Sequence, residues 1–253
     1  MTVLSTSDEV AHLVLRNTDL TDDLLLNLAG ALKNSMSQVT LLNLNLNLIG
    51  PYGEQTARAA AAIQHAMLFP SEQNMLPQLP TEWSSFRVFT LLELDIGGNG
   101  LNSEGIKVLA SYMRHHSYLQ YLGLAQTSGA DLAAWKELFD SLKGNSSLTQ
   151  IILDENNLGD PGVRLLANML KENTSLQEVD LDGNDISDVG GNDIMGALLC
   201  RTQFPLRHLS LEENNISTGL MSRIQEEVKF VANSFLWNPD KAALPSPGRM
   251  TDE

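Results

Sequence analysis

Residues 148–186 read LTQIILDENNLGDPGVRLLANMLKENTSLQEVDLDGNDI, and this stretch contains the same 11-residue phrase twice, 28 residues apart. The phrase is LxxLxLxxNxL, in which other aliphatic residues also occupy the leucine places, and we number its places one to eleven. Copies begin at residues 10, 39, 91, 119, 148, 176 and 206. Five of the six intervals are 28 to 30 residues long, a spacing that favours a stacked array of repeats over an ordinary α/β domain.

Each repeat predicts one short strand followed by one helix. In the strand, period-two alternation turns the leucine pair to one side and the intervening residues to the other. The segment that follows the second Asn of DENN has helical spacing, with Val163, Leu166, Ala167 and Leu170 on one face. One strand and one helix cannot bury an apolar face alone, so neighbouring units must stack. We therefore predict an α/β solenoid of about seven repeats, with a curved parallel sheet on the concave face and helices on the convex face.

Three local features add detail to this prediction. Asp160 precedes Pro161, which predicts an Asp N-cap with Pro at the first helical position. Cys200 follows IMGALL and is predicted to be a buried small hydrophobe. Residues Thr218 to Leu236 predict a helix that closes the last repeat.

Position nine is the most informative polar place in the repeat. The chain turns away from the strand there, and an amide side chain can donate to and accept from backbone groups that would otherwise be unpaired. Thr18 and Thr127 take this place in the two weaker copies, where a hydroxyl can supply part of the same bonding. The other five copies carry the predicted structural asparagines Asn47, Asn99, Asn156, Asn184 and Asn214.

The stretch NNLGDPGVRLLANMLKENTSLQEVDLDGNDISDVG, residues 156–190, resembles the long leucine-rich repeat of ribonuclease inhibitor and of the sensing regions of NOD-like receptors. Tropomodulin and the GTPase-activating proteins for Ran are similar too. The resemblance covers roughly residues 10 to 235 and implies a leucine-rich repeat fold of the ribonuclease-inhibitor-like type. These proteins share an architecture and differ in function, so the resemblance does not imply one activity.

The domain prediction is a single repeat domain over residues 1–236, an insertion at about 68–85 and a flexible tail over 237–253. The insertion lies within the single 52-residue interval, which exceeds one repeat by 24 residues, and its closely spaced prolines predict a projecting loop. Long loops on rigid scaffolds often bind partners, although a tolerated insertion also fits. The candidate docking residues in this loop are Met75, Leu76, Leu79 and Trp83.

Charge and cysteine usage narrow the functional classes. With 31 acidic and 16 basic residues the formal charge is −15, which repels nucleic acid and anionic membrane surfaces. The chain has one cysteine, no recognisable leader and no run of about 18 apolar residues. We therefore predict a cytoplasmic protein that binds neither nucleic acid nor membrane.

Positions three, five, seven and eight should face the concave surface or its rim. The early repeats place apolar and amide side chains there, such as Val14, Leu41, Asn43, Asn45 and Leu46. The late repeats place carboxylates there, and these predict binding of a Lys- or Arg-rich protein surface, as the resemblance to ribonuclease inhibitor implies. The alternative is that they only keep the chain soluble. The candidate carboxylates are Asp154, Glu155, Glu178, Asp180, Asp182, Glu212 and Glu213.

No catalytic phrase such as HExxH, paired CxxC, GxxxxGK[ST] or GxSxG occurs, so we predict a non-catalytic scaffold or adaptor without metal or cofactor. Two alternatives remain open. One is a GTPase-activating protein similar to the Ran regulators, for which Arg16, Arg58 and Arg87 are considered although none lies in a matching motif. The other is a structural part of a ciliary or cytoskeletal assembly. Because no polar N-terminal cap is visible, we also predict that a partner covers the N-terminal edge or that this edge self-associates.

Overall fold

The computed structural model describes residues 9–33, 38–49, 91–115, 118–127 and 129–236. The predicted loop at 68–85, with its four candidate docking residues, lies outside this part of the chain. So does the predicted tail at 237–253.

One parallel sheet of seven strands runs through the described residues, with the strands ordered as in the chain. Helices follow the strands and pack against one side of the sheet, so the molecule is an α/β solenoid, as the repeat predicts. The strands are β1 His12–Val14, β2 Leu41–Asn43, β3 Glu93–Asp95, β4 Tyr121–Gly123, β5 Gln150–Ile152, β6 Glu178–Asp180 and β7 His208–Ser210. The helices are α1 Asp22–Lys33, α2 Ser103–His115, α3 Leu132–Leu142, α4 Gly159–Leu170, α5 Asp188–Cys200 and α6 Thr218–Leu236.

Every strand pairs with the next in the same register, so residues at equal repeat positions lie side by side. Leu13 is opposite Leu42, and Leu42 is opposite Leu94, although 52 residues separate the last two. The hydrogen bonds between β2 and β3 repeat those of the other pairs; for example, the Leu44 N–H donates to the Asp95 carbonyl at 2.8 Å. The additional residues between these two repeats therefore leave the sheet unbroken.

The aliphatic residues at positions four and six fill the space between sheet and helices. In α4 the predicted stripe is confirmed, since Val163, Leu166, Ala167 and Leu170 are all buried. The predicted bounds of the closing helix are also confirmed, because α6 runs from Thr218 to Leu236. The apolar area removed from water contributes about 25 cal/mol per Å² and is the main stabilising term for this fold.

Two local predictions are wrong. Asp160 is not the N-cap of α4, because that helix begins at Gly159 and its N-cap place is taken by Leu158, without a capping side chain. The Asp160 carboxylate instead accepts hydrogen bonds from the next repeat: from the Ser187 N–H and the Gly190 N–H, both at 2.9 Å, and from the Ser187 hydroxyl at 2.6 Å. Unpaired N–H groups at the start of α5 thus compete successfully for this carboxylate.

Cys200 is exposed rather than buried. The buried face of α5 includes Ile194, Ala197 and Leu198. Two residues beyond Leu198, the helix has turned by about 200° because each residue advances it by about 100°. Cys200 therefore points away from the core.

The side chain at position nine is buried in each of the inner repeats. In Asn184, Nδ2 donates to the carbonyls of Leu153, at 2.8 Å, and Asp182, at 3.1 Å. Its Oδ1 accepts from the N–H groups of Asn156, at 3.1 Å, and Leu158, at 3.3 Å. One side chain thus joins the turn of its own repeat to that of the preceding repeat. The other asparagines bond in the same manner, namely Asn47, Asn99, Asn156 and Asn214.

The two threonines at this place form a smaller set of bonds. Thr18 Oγ1 donates to the Leu15 carbonyl at 2.9 Å, and Thr127 Oγ1 donates to the Ala125 carbonyl at 3.3 Å. Each hydroxyl therefore reproduces the bond within its own turn, and Thr18 Oγ1 also contacts Asn47 Oδ1 of the next repeat at 3.2 Å.

A second polar ladder connects the helix-to-strand turns. Asn145 Nδ2 donates to the Met113 carbonyl at 3.2 Å, and Asn173 Nδ2 donates to the Leu142 carbonyl at 2.7 Å. One repeat later Arg201 stands at this place, with a side chain only 4% exposed. Its guanidinium donates to the carbonyls of Leu170, Asn173 and Leu176. Burial lowers the pKa of Arg201 to about 10, so the side chain stays charged at neutral pH.

We predict that Asn184→Ala lowers the free energy of unfolding by about 2–4 kcal/mol, because several buried backbone groups lose their partner together. Urea unfolding followed by circular dichroism measures this change. Asn192→Ala on the exposed side of α5 is the matched control and should change stability by less than about 0.5 kcal/mol. Equal losses in the two variants would contradict the bridging role of Asn184.

Candidate functional site

The concave surface is built from the positions that alternate with the buried pair. Positions three and five of neighbouring strands form two side-by-side rows, because the register is the same throughout. The row at position three consists of His12, Leu41, Glu93, Tyr121, Gln150, Glu178 and His208. The row at position five consists of Val14, Asn43, Asp95, Gly123, Ile152, Asp180 and Ser210.

Position eight is left-handed in all seven repeats, with φ between 52° and 63°. This conformation suits glycine, which occupies the place as Gly98 and Gly183. In a residue with a Cβ it is strained by about 1–2 kcal/mol. Glu155 and Glu213 nevertheless carry carboxylates at this place, so their side chains lie on the rim of the concave surface despite unfavourable backbone geometry.

We define the acidic face as the seven candidate carboxylates of the last three repeats: Asp154, Glu155, Glu178, Asp180, Asp182, Glu212 and Glu213. The structure places all of them on the concave surface or its rim, with Asp154, Glu178, Asp180 and Asp182 half-buried and the other three exposed. Adjacent strands lie about 4.8 Å apart, so these charges are close neighbours.

Hydrogen bonds from neutral groups hold several of these carboxylates in place. Asp182 Oδ1 accepts from the Ser210 hydroxyl and from the Glu212 N–H, both at 2.6 Å. Asp180 Oδ1 accepts from the Asp182 N–H at 3.0 Å. Gln126 Nε2 donates to Glu155 at 3.0 Å. The donors orient the carboxylates without neutralising them.

Burial and mutual repulsion make two of these charges unfavourable. Burial raises the pKa of Asp154, and the nearby Asp180 carboxylate raises it further. Burial likewise raises the pKa of Asp180, with a further increase from Asp182. One oxygen of Asp154, Oδ1, is buried and accepts no hydrogen bond in the described part of the chain. A cationic group placed between these carboxylates would relieve both effects.

Among the basic side chains of the described residues, His208 is opposite Glu178 in the row at position three, and none forms an ion pair with the acidic face. All five of their ion pairs involve helices or the residues next to them, such as Lys107 with Glu104 and Arg164 with Asp193, and none includes a carboxylate of the acidic face. The nearest basic positions in sequence, Arg207 and His208, are exposed at β7. The acidic face thus carries negative charge without an ion-pair partner among the described residues.

Two carboxylates on the third strand were not among the predicted site residues. Glu93 and Asp95 occupy positions three and five of their repeat, so the early half of the concave surface is not purely apolar and amide-rich. Asp95 Oδ2 accepts from Asn43 Nδ2 at 3.2 Å, and Asp95 Oδ1 accepts from Asn45 Nδ2 at 3.0 Å. The position rule used for the late repeats would have found both residues.

The remaining candidate residues show no reactive arrangement. Arg16 is exposed at position seven of the first repeat, whereas Arg58 and Arg87 lie outside the described residues. Among the residues that the structure describes, no group of three or more His, Cys, Asp or Glu is placed to hold a metal ion. Within the same residues, no helix combines the length and apolar character needed to cross a bilayer.

Comparison with known proteins supports the repeat. The sequence profile described as "Leucine Rich repeat" matches residues 89–110, 144–167 and 172–195. Mouse (Mus musculus) NACHT, LRR and PYD domains-containing protein 12 is 34% identical over 112 residues, which are 42% of this chain and 10% of that protein. Mouse NACHT, LRR and PYD domains-containing protein 3 is 40% identical over 78 residues, which are 30% of this chain and 8% of that protein.

The chain contains leucine-rich repeats, and its α/β solenoid resembles the ribonuclease-inhibitor-like type. It matches about a tenth or less of the length of these curated relatives. Among solved structures, leiomodin-1 actin-binding site 2 is similar at a TM-score of 0.49 and 17% identity, covering 58% of this chain and 83% of that chain. Leucine-rich repeat domains generally mediate protein–protein interaction and are generally non-catalytic.

We predict that Asp180→Asn stabilises the folded chain at neutral pH by about 0.2–1 kcal/mol, because it removes a half-buried charge beside like charges and keeps the Oδ1 acceptor. The raised pKa of Asp180 means that the folded state holds a proton where the unfolded state has lost it. The free energy of unfolding therefore falls as pH rises from the ordinary pKa of 3.8 through the raised value.

Urea unfolding at several pH values above 3.8 tests this prediction. In Asp180→Asn the fall of stability with rising pH should be shallower than in the wild type. Glu137→Gln on the exposed side of α3 is the control for the loss of one carboxylate away from the acidic face. A less stable Asp180→Asn at neutral pH would contradict the electrostatic account.

Proposed function

We propose that this chain is a non-catalytic interaction scaffold or adaptor, and that it binds a protein with a Lys- or Arg-rich surface through the acidic face. The observation that carries this proposal is a dense set of oriented carboxylates without an ion-pair partner among the described residues. Complementary charge on a partner would supply the missing cations and guide its approach.

One unfavourable feature of the free chain supports a binding role over a purely solubilising one. Carboxylates that only keep a protein soluble are best placed in full contact with water. Asp154 and Asp180 are instead half-buried with raised pKa values. Desolvated charges are typical of binding sites, where a ligand offsets their cost.

The size of the concave surface fits a folded partner. Six steps between seven strands span about 29 Å, wide enough for a helix or a small domain. The partner would contact the last three repeats with its basic surface, and the early repeats with more neutral groups.

The segment at 68–85 is proposed as a second contact for the partner, through Met75, Leu76, Leu79 and Trp83. This proposal rests on their apolar character within a proline-rich sequence. GTPase activation is not proposed, because no contact in the described part of the chain gives Arg16 a role. Nothing in the described residues favours a cytoskeletal assembly.

We also propose that two copies of the chain associate through β1. This strand is at one edge of the described sheet, where the buried positions of its repeat are less well covered than in the inner repeats. Leu13 and Leu15 are only half-buried, whereas their counterparts in the next repeat, Leu42 and Leu44, are buried. Val14 is 62% exposed on the same strand. A second copy pairing at this edge would cover these side chains.

Affinity purification with the wild type and with a Glu178→Lys, Glu212→Lys double variant tests the main proposal. We predict that proteins with basic surfaces co-purify with the wild type and are lost from the double variant, since two attractive contacts become repulsive. Raising the salt concentration from about 50 to 300 mM should release the same proteins.

A Glu137→Lys, Glu226→Lys double variant is the matched control, because it makes the same charge change at exposed places on α3 and α6 and should retain the partners. A deletion of residues 68–85 in the same experiment tests the second contact. Identical partners in the wild type and the double variant would refute binding through the acidic face.

For self-association, we predict that Val14→Glu shifts the chain towards monomer, because a charge would enter the apolar edge. Sedimentation velocity over a range of concentrations measures the change. A wild-type chain that stays monomeric at high concentration would contradict the proposal. Leu132→Glu, at an exposed place on α3, controls for a general effect of the added charge.

A further inference from the structure

A depression of about 210 Å³ opens on the concave surface across β2, β3 and β4. It is smaller than the 300–1,000 Å³ of pockets that enclose whole small molecules. Its size therefore suits a single side chain better than a metabolite. The residues that line it are Leu41, Leu42, Asn43, Glu93, Asp95 and Tyr121.

The lining combines an apolar surface with two carboxylates. Leu41, Glu93 and Tyr121 are consecutive in the row at position three, so Glu93 lies between an aliphatic and an aromatic neighbour. Glu93 is exposed at the opening, whereas Leu41 and Tyr121 are half-buried. Such a surface is suited to a side chain with an alkyl stem and a polar end.

Asp95 is held in place on the other side of the depression. Besides its bonds to Asn43 and Asn45, its Oδ1 accepts from the Gly97 N–H at 3.1 Å. The neighbouring place in its row is Gly123, where an added Cβ would lie 2.6 Å from Asp95 Oδ1. Because Gly123 on β4 has no side chain, the Asp95 carboxylate can occupy this space.

The negative charge of the surrounding carboxylates converges on Tyr121. Burial, followed by Asp95, Asp154, Glu93 and Asp180, raises the pKa of Tyr121 to about 12. The phenol is therefore neutral at physiological pH, and its ring is surrounded by negative potential. Aromatic rings attract cations, and this effect adds to that of the carboxylates.

We propose that this depression, which we call the side-chain seat, receives one lysine or arginine side chain of the partner. The alkyl stem would lie on Leu41 and Tyr121, with the cationic end between Glu93 and Asp95. The proposal rests on the proposed function, because it assumes a basic partner and names one contact that anchors it. The seat lies on strands outside the acidic face.

The chemistry of the lining disfavours other occupants. An anion would be repelled by both carboxylates. An apolar side chain would remove water from Asp95 and Glu93 without offering a hydrogen bond, which is costly. A guanidinium or ammonium group satisfies the carboxylates and the aromatic ring together.

Nuclear magnetic resonance titration of the full chain with N-acetyl-arginine amide tests the seat. The neutral analogue N-acetyl-citrulline amide has nearly the same shape and is the control ligand. We expect amide signals of residues 93–95 and 121–123 to shift with the arginine compound and to remain in place with the citrulline compound. Equal shifts with both compounds would overturn the proposal.

Variants separate the seat from the acidic face. Glu93→Gln should weaken binding of the arginine compound about two- to five-fold, as measured from the signals of residues 93–95, because one exposed charge contact is lost. Gly123→Ala keeps every charge and should weaken binding of the arginine compound to a similar extent, because the added methyl group displaces the Asp95 carboxylate. Glu178→Gln should leave these shifts unchanged. Since Glu93 is exposed, the first variant tests the seat even if Gly123→Ala does not fold.

The outcomes also distinguish the two proposals. If the arginine compound shifts only signals of the acidic face, the seat is refuted while binding through the acidic face stands. If Glu93→Gln binds the compound as well as the wild type does, the seat is refuted in the same way. If partner capture is lost in the Glu178→Lys, Glu212→Lys variant and retained in Glu93→Gln, the seat does not anchor the partner.

Discussion

The solenoid depends on the side chain at position nine, which in the five repeats with asparagine satisfies backbone groups in two turns at once. At Asn184 four hydrogen bonds converge on a single amide, which joins its own repeat to the preceding one. A strand of three residues offers few hydrogen bonds of its own, so these amide bonds fix where each turn lies. Because every turn starts from the same geometry, side chains at equal positions line up into rows. Both the acidic face and the side-chain seat are consequences of this alignment.

Much of the fold was predictable because it repeats. The leucine spacing indicated seven strands and their helices, and the period identified the buried stripe of α4. The errors concern contacts between repeats, which no single copy of the phrase contains. Asp160 looked like a local cap, yet its carboxylate bonds to Ser187 in the next repeat. The role of Arg201 was invisible for the same reason, since its guanidinium donates to the Leu170 and Asn173 carbonyls of the preceding repeat and replaces an asparagine of the second ladder.

The candidate site was predictable in outline for the same reason. The position rule located the acidic residues of the late repeats on the concave surface. It was not applied to the third strand, so Glu93 and Asp95 were missed. The seat itself is harder to foresee, because it combines residues from three repeats and depends on the missing side chain of Gly123. No single repeat shows the depression in its own sequence. It forms only because these residues lie next to one another across three strands.

The left-handed residue at position eight has a consequence for how such a surface can change during evolution. The backbone there is fixed by the turn, and the side chain points to the rim without entering the core. A glycine such as Gly183 and a glutamate such as Glu155 occupy the same place in adjacent repeats. Exchange between them alters the charge of the rim at a local conformational cost and leaves the leucines and asparagines untouched. Each repeat thus offers one place where recognition can change, at this conformational cost, without a change in the core, so an array of this kind can acquire a new partner one repeat at a time.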